Sequence, residues 1–188
     1  MSVPVNLTPR NRRANGKAAL KRLVLGAMLA AMSVVIGMFC KNFLNFGYGQ
    51  FRITFENLPV ILSGILFGPV VGGVVGLSSD LVSYLLSSQN YPPNLIVSVG
   101  AFSIGFVSGF VSHRIVKKPG VMQVVASAIP AHVIGSMIIK SIGLYQFYHA
   151  AVLWRIPVYF LIAPLEIAIL CLLFRNQSFQ KIIKNIKR

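Results

Sequence analysis

Between Leu23 and Phe174 this chain carries charge at only ten positions, and uncharged apolar runs long enough to cross a bilayer lie between them. Leu23 to Cys40 contains no Asp, Glu, Lys or Arg, and neither do Asn57 to Ser79, Leu81 to His113 and Pro119 to Ile139. A run of about twenty apolar residues spans the hydrocarbon core as a helix. The mean hydropathy is +0.74 and charged residues make up 11%, against about 25% in a soluble domain. So little polar surface cannot cover a water-soluble core, and an integral membrane protein is the class that remains.

Turn and charge signals divide the chain into an all-α membrane protein of six transmembrane helices. A basic tail over 1–19 precedes a membrane domain over 20–175, and a second basic tail covers 176–188. The spans are expected near 20–40, 56–67, 70–86, 95–116, 121–144 and 155–174. A basic leader before an apolar run also opens a signal peptide, but no small-x-small cleavage site follows Cys40, so the first helix is expected to be retained. Gly68-Pro69 marks a tight turn between the second and third spans, and Pro92-Pro93 breaks the chain before the fourth. Cys40 and Cys171 fall on opposite membrane faces and are expected to be unpaired packing residues.

The net charge of +15 comes from basic blocks between the spans rather than from one cationic surface, which argues against nucleic acid and for the positive-inside rule. With the N-terminus inside, fourteen basic residues fall on the cytoplasmic side, and Lys41, Arg52 and Arg155 lie outside with Lys140 embedded near the outer end of the fifth span. Both termini are then cytoplasmic, as an even number of spans requires.

Between the first two spans the helical pattern breaks. Phe51, Ile53 and Phe55 alternate with Arg52 and Thr54, a period of two that marks a short extended segment. It is expected to form an ordered lid loop. Small residues four apart, Gly64-Gly68-Gly72-Gly76, Gly105-Gly109 and Ala27-Ala31, let helix backbones approach closely. Most serve internal packing, while Ala27 and Ala31 could also dock another membrane subunit.

The three acids, Glu56, Asp80 and Glu166, all lie in or at the edge of apolar runs. A carboxylate at a helix centre costs about 2.5–3.5 kcal/mol on insertion scales and persists where it is paired, wet or functional. Glu56 is favourable simply as an acid at a helix start; Asp80, with Tyr84 one turn on, and Glu166 have no such local cause. Arg52, Lys140 and Arg155 gather with aromatics including Phe55 and Trp154 at the outer mouth. Outer cations run against the positive-inside bias and suit an anionic ligand, within walls typical of a small-molecule pocket. His113, His132 and His149 show no metal spacing, and no phosphate-binding glycine loop is present. The chain is expected to be no enzyme and to hold no metal or cofactor.

Several motifs together resemble one family. Arg52-Ile53-Thr54-Phe55-Glu56-Asn57-Leu58-Pro59, then Gly64, Phe67-Gly68-Pro69, Gly72-Gly73 and Gly76 to Asp80, are similar to the substrate-binding S components of energy-coupling factor (ECF) vitamin importers. Arg155-Ile156-Pro157 continuing to Ala163-Pro164-Leu165-Glu166 resembles the folate-specific branch. The resemblance runs from Lys21 onward. It implies six helices in a bacterial plasma membrane, an outward-facing vitamin site capped by the first loop, and docking on a transmembrane T component joined to two ABC ATPases. Docking would use an alanine-x-x-x-alanine motif, matched by Ala27 and Ala31, and transport would proceed by toppling of the S component. Folate suits the residues: a carboxylate, Asp80 or Glu166, can accept the paired N–H donors of the pterin, and the cations suit the glutamate tail. Riboflavin, thiamine, pantothenate or a queuosine precursor on the same architecture stays open, as does a membrane scaffold that binds no vitamin.

Overall fold

Inside a bilayer every backbone N–H and C=O must find its partner within the protein, and helices achieve this within one segment. The computed structural model describes residues 9–46, 51–86, 94–116, 120–149 and 155–187, and these are helical almost throughout. Helix α1 runs Pro9–Phe43. The strands β1 (Asn45–Phe46) and β2 (Phe51–Arg52) form a small antiparallel ladder, with Asn45 opposite Arg52 and Phe46 opposite Phe51. Helices α2 (Asn57–Phe67) and α3 (Pro69–Leu86) make a hairpin. Helix α4, Leu95–Phe110, ends in a π-helical turn over Val111–Ile115. Helix α5 (Val121–Ala131) passes into a π-helical segment, His132–Ile139, and on into α6, Lys140–Tyr148. Helices α7 (Arg155–Arg175) and α8 (Gln177–Lys187) complete the chain.

Among the described residues, five helical stretches are long and apolar enough to cross a membrane: Ala19–Phe43, Pro69–Leu86, Leu95–Ile115, Val121–Tyr145 and Pro157–Arg175. Helix α2 returns the chain between the first two, so α1 and α3 run in the same direction, with Gly26 beside Val71 and Val75, and the later spans alternate. The bundle thus has a ladder end, carrying β1 and β2, and a turn end, carrying Gly68 and Pro69. Helix α2 differs in kind. It has eleven residues, a rise of about 16 Å, roughly half of the hydrocarbon thickness. Nine of those residues are buried, Asn57 and Pro59 through Leu66, and its aliphatic side chains form the centre of the core with Ile104, Val124, Ala128 and Leu170.

The tails depart from the expectation of plain polar termini. Helix α1 already begins at Pro9, inside the stretch expected as a basic tail. In the other tail, Phe179 and Ile183 of α8 pack on the core at the turn end, and Phe179 meets the Phe174 ring edge-on at 5.5 Å. Apolar residues at 179, 182, 183 and 186 share one helical face, which gives α8 a reason to fold back.

Glycine sets the spacing of the hairpin and α4. A Cβ added at Gly72 would lie 2.5 Å from the Gly105 carbonyl oxygen, and one at Gly109 would lie 2.5 Å from the Pro69 nitrogen. Backbone therefore packs on backbone, the arrangement small residues allow in a bilayer. Gly68 adds a different requirement, since its φ of 98° is strained for any residue with a Cβ. Gly72→Leu is expected to cost at least the 1–3 kcal/mol of overpacking. That loss should appear as a lower melting temperature and less monodisperse protein in detergent, while Gly16→Ala, which meets nothing within 4 Å, should not destabilise.

Candidate functional site

Because α2 reaches only about half-way across, the chain that enters it from the ladder runs as non-helical backbone inside the bundle. Irregular backbone at membrane depth is tolerated where protein buries it or where it lines a cavity. Thr54 is buried, the Ser33 hydroxyl of α1 donates to the Glu56 carbonyl at 2.7 Å, and Ile53 N–H donates to the Leu44 carbonyl at 3.2 Å. The segment is held on both sides.

Facing the start of α2, one side of the fifth span carries polar residues every four positions: His132, Ser136 and Lys140. The segment widens two residues after Pro130, which has no N–H to donate to the preceding turn, and the Lys140 N–H bonds back five residues to Gly135. Single π-helical turns of this kind are rare and recur at functional sites. Each polar residue on this face has a partner from another element. Lys140 Nζ lies 3.6 Å from Glu56 Oε1. The Asn57 amide reaches Ser136 Oγ at 3.5 Å. His132 Nε2 stands 2.9 Å from Glu166 Oε2 of α7, both side chains fully buried.

The result is a polar column within an apolar bundle, built from the entry to α2, the π-helical segment, α6 and α7. Packing leaves room for it at two glycines. The Glu56 carboxylate lies against Gly37, where a Cβ would sit 2.8 Å from Oε2, and the Lys140 stem lies across Gly100, where a Cβ would sit 2.7 Å from Cγ. The column is incompletely satisfied. His132 Nδ1 and Glu166 Oε1 are buried without a hydrogen-bond partner, and the close approach of Nε2 to Oε2 is poorly aligned for a linear bond.

The expected site residues distribute unevenly over this geometry. Glu56 and Lys140 meet, and Glu166 joins the same column through His132; Lys140, expected among the outer cations, is buried and pairs with Glu56. Asp80 lies elsewhere. It accepts a hydrogen bond of 2.8 Å from Ser98 of α4, whereas Gly100, about 200° further round the same helix, faces Lys140. Helix α4 thus separates Asp80 from the column, and Ser98 supplies the local partner that Asp80 lacked in the sequence. Tyr84 sits half-buried one turn beyond Asp80. Phe55 is half-buried beside Glu56, and its carbonyl accepts from the Leu58 N–H at 3.2 Å. Arg52 closes β2 and Arg155 opens α7, but their side chains fall outside the described residues, as do Tyr91 and Trp154. His132 and Asn57 were missed. The available signal was the four-residue polar spacing from His132 to Lys140.

Ala27 and Ala31 lie apart from the column. They are exposed on α1 and line a groove of about 680 Å³ between α1 and α3, with Gly26, Ala30, Val71 and Val75 among its walls.

Residues 21–179 match the family model for the ECF transporter substrate-specific component. Over 78 residues, 40% of this chain and 45% of the relative, the sequence is 32% identical to the folate transporter FolT of Clostridium novyi (strain NT). Over 92 residues, 49% of this chain, it is 29% identical to the uncharacterized protein MG098 homolog of Mycoplasma pneumoniae (strain ATCC 29342 / M129 / Subtype 1), of which it spans 16%. The chain therefore spans less than half the length of these curated relatives. A crystal structure of FolT bound with folic acid shares the fold with a TM-score of 0.62, over 79% of this chain and 89% of that one, at 22% identity.

Removing one partner of a buried ion pair strands the other. Lys140→Met leaves Glu56 without its cation and is expected to cost about 3–5 kcal/mol. Thermal unfolding in detergent should register this loss, and Lys140→Met combined with Glu56→Gln should recover most of it.

Proposed function

The chain belongs to the family of ECF transporter substrate-specific components, and from that premise we propose that it is a folate-binding S component whose ligand is held at the polar column. The observation that carries this reading is that the buried side chains of Glu166 and His132, beyond the Glu56–Lys140 contact, keep polar atoms without a hydrogen-bond partner among the described residues, Glu166 Oε1 and His132 Nδ1 among them. Buried polar groups are normally satisfied, and a ligand with matching donors would satisfy these. A pterin ring presents two adjacent N–H donors, the pattern a carboxylate accepts in pairs. The similarity to folate transporters supports folate over other vitamins.

On this reading the ladder end faces outward and both termini are cytoplasmic in a bacterial plasma membrane, as the basic residues indicate. Helix α2 together with the segment before it makes the sixth crossing, and the ladder segment acts as the lid over the site. Glu166 takes the pterin; Asp80, with Ser98 and on the far side of α4, does not. Arg52 and Arg155, at the ladder end, suit the anionic glutamate tail, and Phe55 and Tyr84 provide aromatic surface toward that end. The groove at Ala27 and Ala31 docks the transmembrane T component, and hydrolysis by two ABC ATPases drives toppling and release.

The test is direct titration. Purified protein should bind folate and carry a pterin absorbance if ligand co-purifies; a flavin absorbance, or no binding of any vitamin, would replace this reading. Glu166→Gln should weaken folate binding at least tenfold, about 1.4 kcal/mol. Asp80→Asn should change it by no more than about twofold, as a substitution away from the site does. Ala31→Trp should block uptake in cells that contain the energising module while leaving binding intact.

A further inference from the structure

Glu166 was visible in the sequence; the group that governs its chemistry was not. We propose that His132 is a positioning residue of the ligand site, holding the proton it shares with Glu166 so that Glu166 presents an open carboxylate and selects a ring edge with two adjacent N–H donors. The inference rests on the folate-site reading and adds to it the origin of the selectivity.

The starting point is charge. Among the described residues four ionisable groups form two contacts along the column: Glu56 at the entry to α2 with Lys140 on α6, and His132 on the π-helical segment with Glu166 on α7. Glu56 and Lys140 offset each other, and an apolar bundle penalises any net charge left over. The His132–Glu166 pair is therefore neutral as a whole, with one proton between its two members. Its position decides what a ligand meets. On the ring, it leaves two carboxylate oxygens as acceptors; on the carboxyl group, it leaves one donor and one acceptor. These two arrangements recognise different ring edges.

The proposed arrangement is the first, with the proton on the ring. His132 Nε2 stands 2.9 Å from Oε2, within the distance of a charge-assisted contact although not aligned as a hydrogen bond, and Oε1 has no hydrogen-bond partner among the described residues. A charged ring at that distance stabilises the carboxylate form while both oxygens keep the capacity to accept from a ligand. A 2-amino-4-oxo edge, as in pterins, offers two adjacent N–H donors and matches an open carboxylate. A 2-oxo edge, as in flavins, offers carbonyls on either side of one N–H and matches a protonated carboxyl group better. Without His132 the proton must stay on Glu166 to keep the column neutral, and the site changes its preference.

The test compares folate with its 2-deamino-2-oxo counterpart by titration against the purified full chain. For His132→Gln, folate affinity should fall about tenfold or more, the worth of a hydrogen bond to a charged group, while the 2-oxo compound should lose less, so that the ratio between the two narrows or inverts. In His132→Gln/Glu166→Gln, folate should bind no more weakly than in Glu166→Gln alone, because His132 acts through Glu166. His132→Lys, which returns a cation to the position, should restore the preference for folate, and it also serves where His132→Gln does not fold. Equal losses for both compounds, additive losses in the double variant, or His132→Lys behaving as His132→Gln would overturn the proposal. Folate binding that survives every His132 variant would overturn it and leave the folate reading standing; failure of the unsubstituted protein to bind folate would remove both.

Discussion

Charge inside an apolar bundle has to be neutralised where it stands, since no water is present to do so. That requirement ties together parts of the chain far apart in sequence. Glu56 precedes the shortest helix, Lys140 follows a π-helical distortion, and Glu166 interrupts the last span. The contact of Lys140 with Glu56 anchors the non-helical entry to α2 against α6. The contact of His132 with Glu166 anchors the π-helical segment against α7. Side-chain volume is then arranged around these pairs, with Gly37 making room for the carboxylate and Gly100 for the lysine stem.

The shortness of α2 is what gives the column its depth. A full-length helix at that place would fill the interior and satisfy its own backbone. Eleven residues stop half-way, and the chain from the ladder must descend to meet them, held by the Ser33 hydroxyl and by backbone bonds to the end of α1. Close packing of the glycine-rich hairpin on α4 holds α2 in that central position from the turn end.

Helix α1 serves two regions along one length. Its turn-end half, from Ala19 to Val34, lines the groove shared with α3, while Gly37, further along, receives the Glu56 carboxylate. A continuous helix of 35 residues therefore joins the proposed docking face to the proposed ligand site. A rotation of α1 against the bundle would be felt at both.

How much was legible follows from what kind of interaction each feature depends on. Apolar runs, their turns at Gly68-Pro69, the break in helical period after Lys41 and the anomalous acids are local, because bilayer transfer energy and backbone preference act residue by residue. The sequence alone therefore determined the membrane class, the all-helical architecture and the anomalous acids, while the count of six crossings was left to the fold, which has five spanning helices and the short α2 among the described residues. Which polar groups meet was decided by tertiary packing. Asp80 looked as unexplained as Glu166 until Ser98 stood beside it on the far side of α4, and Lys140 counted among the outer cations until Glu56 was found against it. His132 read as one more histidine until the π-helical register aligned it with Ser136 and Lys140. Pairing energies depend on distances of a few ångströms between segments up to a hundred residues apart, and only the folded bundle sets those distances.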